Sequence, residues 1–207
     1  MSNQGNPLAD LGVSRETIER LEQFVELLKK WNPAINLVSN GTLGDAWSRH
    51  IIDSAQLYRL AGPTVGRWVD LGSGGGFPGL VIACIAAELN PGMDVVLVES
   101  DLRKATFLRQ AARQLGLATR VVAERVENLP PLAADIVSAR ALAPLATLCA
   151  LSVAHLVQNG TALFPKGTNF RSEVEQAAQD WRFDLEVIPS VTEPSAAILK
   201  LKGLVHV

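Results

Sequence analysis

The sequence predicts an α/β fold: a seven-stranded, mostly parallel sheet with helices on both faces and a helical N-terminal extension. Three observations point there. From Arg67 onward, short apolar runs alternate with helical segments across short connections, the pattern of a parallel sheet covered on both sides. The last two apolar runs have no helix between them, which makes an antiparallel hairpin at one edge. Before Arg67 the hydrophobic periodicity is helical only.

Ser14 is a good N-cap, and Val13 and Ile18 sit where a hydrophobic staple would be. Ile18, Leu21, Val25, Leu28 and Trp31 then recur on one helical face, and Asn32-Pro33 is read as the end of that helix. A second helical region runs from about Leu43 to Leu60 with a break near Asp53, and Gly62-Pro63 marks the exit. The first strand is Trp68 to Leu71, followed by a glycine-rich turn and a helix from about Pro78 to Leu89. The second strand is Val95 to Glu99, with a helix from Leu102 to Leu115. The third is Arg120 to Ala123. The fourth is Ile136 to Ser138, with a helix from about Leu145 to Val157. The fifth is Ala162 to Phe164, with a polar helix from about Arg171 to Trp181. Phe183 to Ile188 and Ala197 to Leu201 finish as strands. The chain divides into an N-terminal extension, residues 1–65, packed on a core domain, residues 66–207, and the two act as one unit.

At 207 residues with 48% hydrophobic and 19% charged side chains, the chain can bury a core without disulfides or structural metal. Cys84 and Cys149 lie apart in apolar stretches and read as buried thiols of a reducing compartment. With three histidines and no paired cysteines, no metal site is predicted. The opening ten residues lack an apolar core segment, and the apolar run Ala141 to Ala154 is shorter than the roughly 20 residues of a membrane span. A cytoplasmic location without membrane contact follows as the expectation. A net charge of −2 argues against nucleic acid wrapped over the whole surface but leaves room for a local basic face.

The sharpest motif is Asp70-Leu71-Gly72-Ser73-Gly74-Gly75-Gly76-Phe77-Pro78-Gly79, leaving a strand and opening a helix. Glycines there let the backbone take positive φ and approach a ligand, at the carboxyl end of the sheet where such folds bind ligands. Glu99, ending the second strand, is placed to accept hydrogen bonds from both ribose hydroxyls of an adenosine. Arg125-Val126-Glu127 is suited to grip the adenine edge. Gly74, Gly76 and Gly79 match the dinucleotide spacing G-x-G-x-x-G. Three features favour S-adenosylmethionine instead. An acid, Asp70, precedes the glycines where dinucleotide sites carry apolar residues, the match starts two residues late, and no separate substrate domain follows. An acid at Asp70 also suits a cofactor bearing an ammonium and a sulfonium.

Arg125, Arg140 and Lys166 fall at or just after strand ends on the cofactor side and are the candidates for substrate placement, with a surface ion pair or a bond to the cofactor carboxylate as the other reading. Arg140 is assigned mainly to the cofactor. His50 and Asp53 share a helix face and are read chiefly as pinning the N-terminal helices to the sheet. Trp31 and Trp47 are read as core, and Arg103, Lys104, Arg109 and Arg113 as a solvated helix face, with a phosphate-tracking stripe as the alternative.

Taken in order, Leu27-Leu28-Lys29-Lys30-Trp31-Asn32, Ile35-Asn36-Leu37 and Arg49-His50-Ile51-Ile52-Asp53-Ser54, the Asp70–Gly79 loop, Arg103-Lys104, Phe107-Leu108, Arg125-Val126-Glu127, Ser138, Arg140-Ala141 and Lys166-Gly167 resemble the glucose-inhibited division protein B family. That family is also called ribosomal RNA small subunit methyltransferase G. The resemblance runs from about Leu21 to Leu201. Gly75 stands where alanine is common, and Val38-Ser39-Asn40 is an unusual continuation after Asn36-Leu37.

The resemblance implies a Rossmann-like class I methyltransferase fold and S-adenosylmethionine-dependent methylation of N7 of one guanine in bacterial 16S ribosomal RNA, free or in the small ribosomal subunit. It implies that Gly72, Phe77, Val126, Glu127 and Arg140 contact the cofactor, beside Asp70, Gly74 and Glu99 read from the residues themselves. A monomer is expected. Guanine N7 carries an in-plane lone pair and needs no deprotonation, so an obvious catalytic dyad is not required. The rival functions are methylation of another RNA, a protein or a small molecule, and a non-catalytic RNA-binding module.

Overall fold

The computed structural model describes residues 6–62 and 65–207. The sheet has seven strands: β1 (Arg67–Leu71), β2 (Asp94–Val98), β3 (Arg120–Val122), β4 (Ala134–Ser138), β5 (Leu156–Lys166), β6 (Trp181–Pro189) and β7 (Ala197–His206). Their order is β3-β2-β1-β4-β5-β7-β6. The first five are parallel, and β7 runs antiparallel between β5 and β6. The chain reverses its direction of travel across the sheet between β1 and β4. That switch opens a crevice at the carboxyl ends of the strands.

Central strands read as unbroken apolar runs because both faces are covered. Their side chains alternate by face. Trp68, Val95, Leu97, Ile136, Leu163 and Ile198 point into one core. Val69, Leu71, Val96, Val98, Val137 and Phe164 point into the other. The first core is roofed by α2 (Arg15–Ile35), α4 (Asp53–Tyr58), α5 (Gly79–Leu89) and α6 (Leu102–Gln114). The second is roofed by α7 (Leu145–Val153) and α8 (Phe170–Asp180). Asp70 belongs to the first face and is fully buried there.

The N-terminal extension is part of the first core. After the short helix α1 (Pro7–Leu11), Ser14 caps α2 by accepting from the Thr17 N–H, and Leu21, Phe24, Val25 and Leu28 are buried. The carboxylate of Glu88, on α5, takes the Ser14 N–H (2.9 Å), the Ser14 hydroxyl (2.9 Å) and the Thr17 hydroxyl (2.6 Å). Trp31 packs on Phe107 with ring centroids 5.7 Å apart, and Trp47 also joins this core, as expected of both.

Several boundaries differ from the sequence reading. Helix α2 passes through Pro33 and ends at Ile35. A proline in the last turn removes a single N–H bond, and the exit is instead fixed by Asn36 in the left-handed conformation, whose N–H reaches the Asn32 carbonyl. The region Leu43 to Leu60 is three pieces: α3 (Asn40–Leu43), a π turn over Trp47–Ile52, and α4 starting at Asp53, where the break was expected. Helix α7 stops at Val153, and Leu156 and Val157 enter β5, since Leu156 pairs with Ala134. Trp181 opens β6 opposite His206 rather than closing α8. At the Gly62-Pro63 exit, Gly62 has φ +80°, while Pro63 lies outside the described residues. Cys84 and Cys149 are buried, and burial pushes both thiols up to about 12.

Candidate active site

The glycine turn leaves β1 and is braced from below. Asp70 Oδ1 accepts from the Ser138 hydroxyl (2.7 Å), which in turn accepts from Trp68 Nε1 (2.8 Å), and Asp70 Oδ2 accepts from the Gly79 N–H (3.1 Å). Burial pushes the Asp70 carboxyl up to about 6, against the opposing pull of the bonds from Ser138, Ser73 and Gly79. Asp70 therefore holds the loop from inside. Both its oxygens are engaged and none of its surface is exposed.

The turn itself uses glycine where the shape demands it. Gly72, Gly74 and Gly76 have φ of +65°, +52° and +92°. A Cβ at Gly72 would lie 2.6 Å from Leu142 Cδ1, and one at Gly76 would lie 2.9 Å from Phe24 Cζ. Gly75 faces Leu37: a Cβ there would sit 3.1 Å from the Leu37 carbonyl oxygen. The unusual segment 38–40 follows directly. It is tied down by Asn32, which accepts from the Val38 N–H (2.9 Å) and donates to Asn40 Oδ1 (3.2 Å).

At the end of β2, Glu99 is 7% exposed, its Oε2 accepting from the Gly74 N–H (2.8 Å) and its Oε1 from the Asp101 N–H (2.8 Å). Each oxygen keeps a second acceptor site, so the carboxylate both fixes the loop and can still receive hydroxyls. Val126 opens a single 3-10 turn over Val126–Asn128. Gly72, Val98, Arg125, Val126 and Glu127 line a narrow cavity of about 90 Å³ there, with Leu142 on its wall. The slot sets the apolar side chains of Val98, Val126, Leu142 and Leu151, with Gly72, against a polar rim of Ser100, Glu124, Arg125 and Glu127, a lining that suits the flat face and polar edge of an adenine.

Leu142 also lines a second cavity, of about 580 Å³, over the ends of β4 and β5. Arg140 and Lys166 lie here, and Arg125 does not: it is exposed beside the smaller cavity. Arg140 donates to the Arg49 carbonyl (3.3 Å) and to Asp53 Oδ2 (3.4 Å), and its guanidinium lies 5.0 Å from the Phe77 ring centre. Phe77 is 3% exposed, flanked by Phe24 (5.0 Å) and by the stacked ring of His50 (4.9 Å). Lys166 is held in a half-buried ion pair rather than standing as a free cation. Its ammonium donates to Glu173 Oε2 (2.7 Å) and to the Ala143 carbonyl (2.7 Å), and Glu173 also takes the Leu145 N–H (2.8 Å). Lys166 thereby fixes the 140–144 loop.

His50 and Asp53 pin elements together and also line the larger cavity, so the structure gives both residues a place in each of the two readings. His50 Nε2 is 3.0 Å from the Thr42 hydroxyl, and burial, then Arg140 and Arg49, pull its pKa down to about 4, which leaves the ring neutral at physiological pH. Asp53 Oδ1 accepts from Gln56 Nε2 (2.9 Å) and the Thr192 hydroxyl (2.8 Å). The Thr192 bond, with the Val191 N–H donating to Gln56 Oε1 (3.1 Å), docks the β6–β7 loop on α4. Arg103, Arg109 and Arg113 are exposed on α6; Arg103 pairs with Asp101 (3.4 Å) and Arg109 reaches the Val121 carbonyl (3.3 Å), which fits a solvated face.

Sequence reasoning missed Leu142, Glu173, Ser190, Thr192 and Glu193, all of which line the larger cavity. The signal for the last three was present in the predicted hairpin. A strand antiparallel to β5 starts beside its carboxyl end, so the loop that precedes β7 must lie at the ligand side of the sheet.

Among the described residues no helix is long and apolar enough to cross a membrane. Two solved structures with related folds are an SAH-bound methyltransferase of Podospora anserina (TM-score 0.61, 13% identity, 92% of this chain and 88% of that one) and a mutant of MtNAS in complex with S-adenosylmethionine (TM-score 0.60, 16% identity, 89% and 74%). They share the class I methyltransferase fold. Among sequences, the chain is 58% identical over 197 residues to the ribosomal RNA small subunit methyltransferase G of Cereibacter sphaeroides (strain ATCC 17025 / ATH 2.4.3), covering 95% of each chain. It is 51% identical over 205 residues to the protein of that name in Ruegeria sp. (strain TM1040), covering 99% of this chain and 100% of the other. The family model described as rRNA small subunit methyltransferase G matches residues 17–199. With the glycine turn, its acidic partner on β2 and this likeness along almost the whole length, the chain belongs to the rRNA small subunit methyltransferase G family.

Proposed function

We propose that the chain methylates N7 of one guanine in bacterial 16S ribosomal RNA, using S-adenosylmethionine. The observation that carries this is the pair of adjoining cavities divided by Leu142: a narrow slot beside Glu99 and Val126, and a roomy cavity beneath Arg140 whose cations, Arg49, Arg140 and Lys166, are matched by the acids Asp53, Glu173 and Glu193. When bound, the cofactor supplies an electrophilic methyl on sulfur. Gly72 and Gly74 give it backbone room, Glu99 accepts ribose hydroxyls, and Val126 and Glu127 lie along the adenine. Asp70 acts through the loop it braces.

The larger cavity receives the base. N7 lies in the deep, narrow major groove of A-form RNA, so the target guanine must be in a loop or turned out of its stack. The chemistry calls for placement rather than proton removal: N7, methyl carbon and sulfur held in line at about 3–3.5 Å between reacting atoms. A neutral, buried His50 with no general-base task is consistent with that. Arg140 links the cofactor loop to the base cavity, Lys166 sets the 140–144 loop between them, and exposed Arg125 is free to meet a phosphate.

Residues 1–65 act with residues 66–207 as one functional unit, since α2 packs in the same core and Thr42, Arg49, His50 and Asp53 line the larger cavity. The partner is 16S ribosomal RNA or the small subunit that contains it, met in the cytoplasm by a monomer. Transfer of radiolabelled methyl to ribosomal RNA from cells lacking the protein, followed by nucleoside digestion, tests the reaction. Label in N7-methylguanosine is the expected result. Label in another nucleoside, or none, removes this function.

A further inference from the structure

The cavity over β4 and β5 carries charged groups that holding a generic base does not explain. Three acids line it: Asp53, Glu173 and Glu193. Asp53 is engaged by Gln56, Thr192 and Arg140, and Glu173 by Lys166 and the Leu145 N–H. Glu193 differs. It stands on the β6–β7 loop, oriented by the Ser195 hydroxyl on Oε1 (2.8 Å), and its Oε2 meets only Arg49, at 3.3 Å. The side chains of Arg49 and Glu193 are 45% and 44% exposed, so a base can reach both. Exposed pairs of this kind are weak, and their groups exchange partners at little cost.

The direction of entry decides which edge of a purine they would meet. The slot beside Glu99 and Val126 fixes the adenosine end of the cofactor crevice over β2 and β3, and Leu142 divides that slot from the larger cavity. A guanine whose N7 faces Leu142 turns its opposite end, with N1–H and the N2 amine, toward the far wall. Arg49, from the π turn, and Glu193, from the β6–β7 loop, line the same cavity; the loop leads into β7, beyond β5 and away from β2 and β3, and Arg49 reaches it through its bond to Glu193. Together they present a donor followed by a carboxylate acceptor. Guanine offers O6 as acceptor, then N1–H and N2–H as donors, and the two patterns match. Adenine offers an amine donor and a bare N1 acceptor, which sets donor against donor and acceptor against acceptor. A site built to bond a donor rejects the analogue that lacks it.

Resting on the N7 reading above, we propose that the Arg49–Glu193 pair reads the Watson–Crick edge of the target guanine and makes the site specific for guanine over adenine. The test uses the full chain and small-subunit RNA carrying either guanine or inosine at the mapped target position; inosine lacks only the N2 amine. The wild-type kcat/KM is expected to favour guanine by about 10- to 100-fold, the discrimination of a good bidentate contact. Glu193→Gln is expected to lose most of that ratio by losing activity on guanine, with cofactor affinity and melting temperature unchanged. Arg49→Lys keeps the charge without the planar fork and is expected to lose selectivity for guanine over 6-thioguanine, which replaces O6 by the weaker acceptor sulfur and keeps N1–H and the N2 amine. A Glu193→Gln variant that keeps the wild-type guanine-to-inosine ratio overturns the assignment and leaves the N7 reading intact. A wild-type protein that binds the cofactor but methylates neither RNA overturns both.

Discussion

Asp70 sits with no exposed surface beneath the loop it braces, and its carboxyl is pushed up to about 6 from an ordinary 3.8. Over that interval the folded chain holds a proton that the unfolded chain has released. The group's contribution to stability is therefore full at pH below 3.8 and is lost as pH rises through about 6, a loss of about 2–3 kcal/mol. In Asp70→Asn that slope disappears. Urea midpoints without cofactor should show the difference between variant and wild type moving in the variant's favour across this window; a difference flat with pH contradicts the assignment. Gly79 is packed as tightly. A Cβ there would run into Leu97 Cδ2 and lie 2.7 Å from Asp70 Oδ2. Gly79→Ala is expected to lower stability by about 1–3 kcal/mol in denaturant titrations. Arg140 joins Asp53, the Arg49 carbonyl and the Phe77 ring. Arg140→Lys should slow methyl transfer about tenfold or more and also lower the melting temperature, since the planar guanidinium contacts it loses tie Asp53, the Arg49 carbonyl and Phe77 together in the folded chain. Glu99 and the glycines were legible because their roles follow from strand ends and backbone shape. The committed state of Lys166 was not, since its partner Glu173 lies on α8 and only tertiary packing brings the two together.

Among elements, α2 shows how a local signal and a distant one cooperate. Ser14 marks its start in the sequence, yet Glu88 from α5, 74 residues away, holds that start on the core through Ser14 and Thr17. Glu88→Ala is expected to cost about 1–2 kcal/mol, read as a lowered urea midpoint with an unchanged slope; an unchanged midpoint would assign the docking of α2 to its apolar face alone. Every predicted strand and the larger helices formed, because their apolar periods are strong. The ends shifted where a local signal was outweighed. Pro33 predicted an end that Asn36 provides three residues later, and Leu156 and Val157 extended a helical pattern that pairing with β4 converts to strand.

For the whole molecule, the strand order sets the chemistry. The reversal between β1 and β4 opens the crevice, and the N-terminal extension and the β6–β7 loop, joined through Asp53 and Thr192, wall the larger cavity. The seven-stranded sheet and its edge hairpin were readable from alternation alone. The two-cavity site was not, because its walls come from segments at both ends of the chain. The most direct test of the central claim is chemical cleavage at N7-methylguanine along 16S ribosomal RNA, comparing cells with and without the protein. One cleavage site should vanish in its absence and return on incubation of that RNA or subunit with purified protein and S-adenosylmethionine. An identical cleavage pattern in both cells would contradict the account.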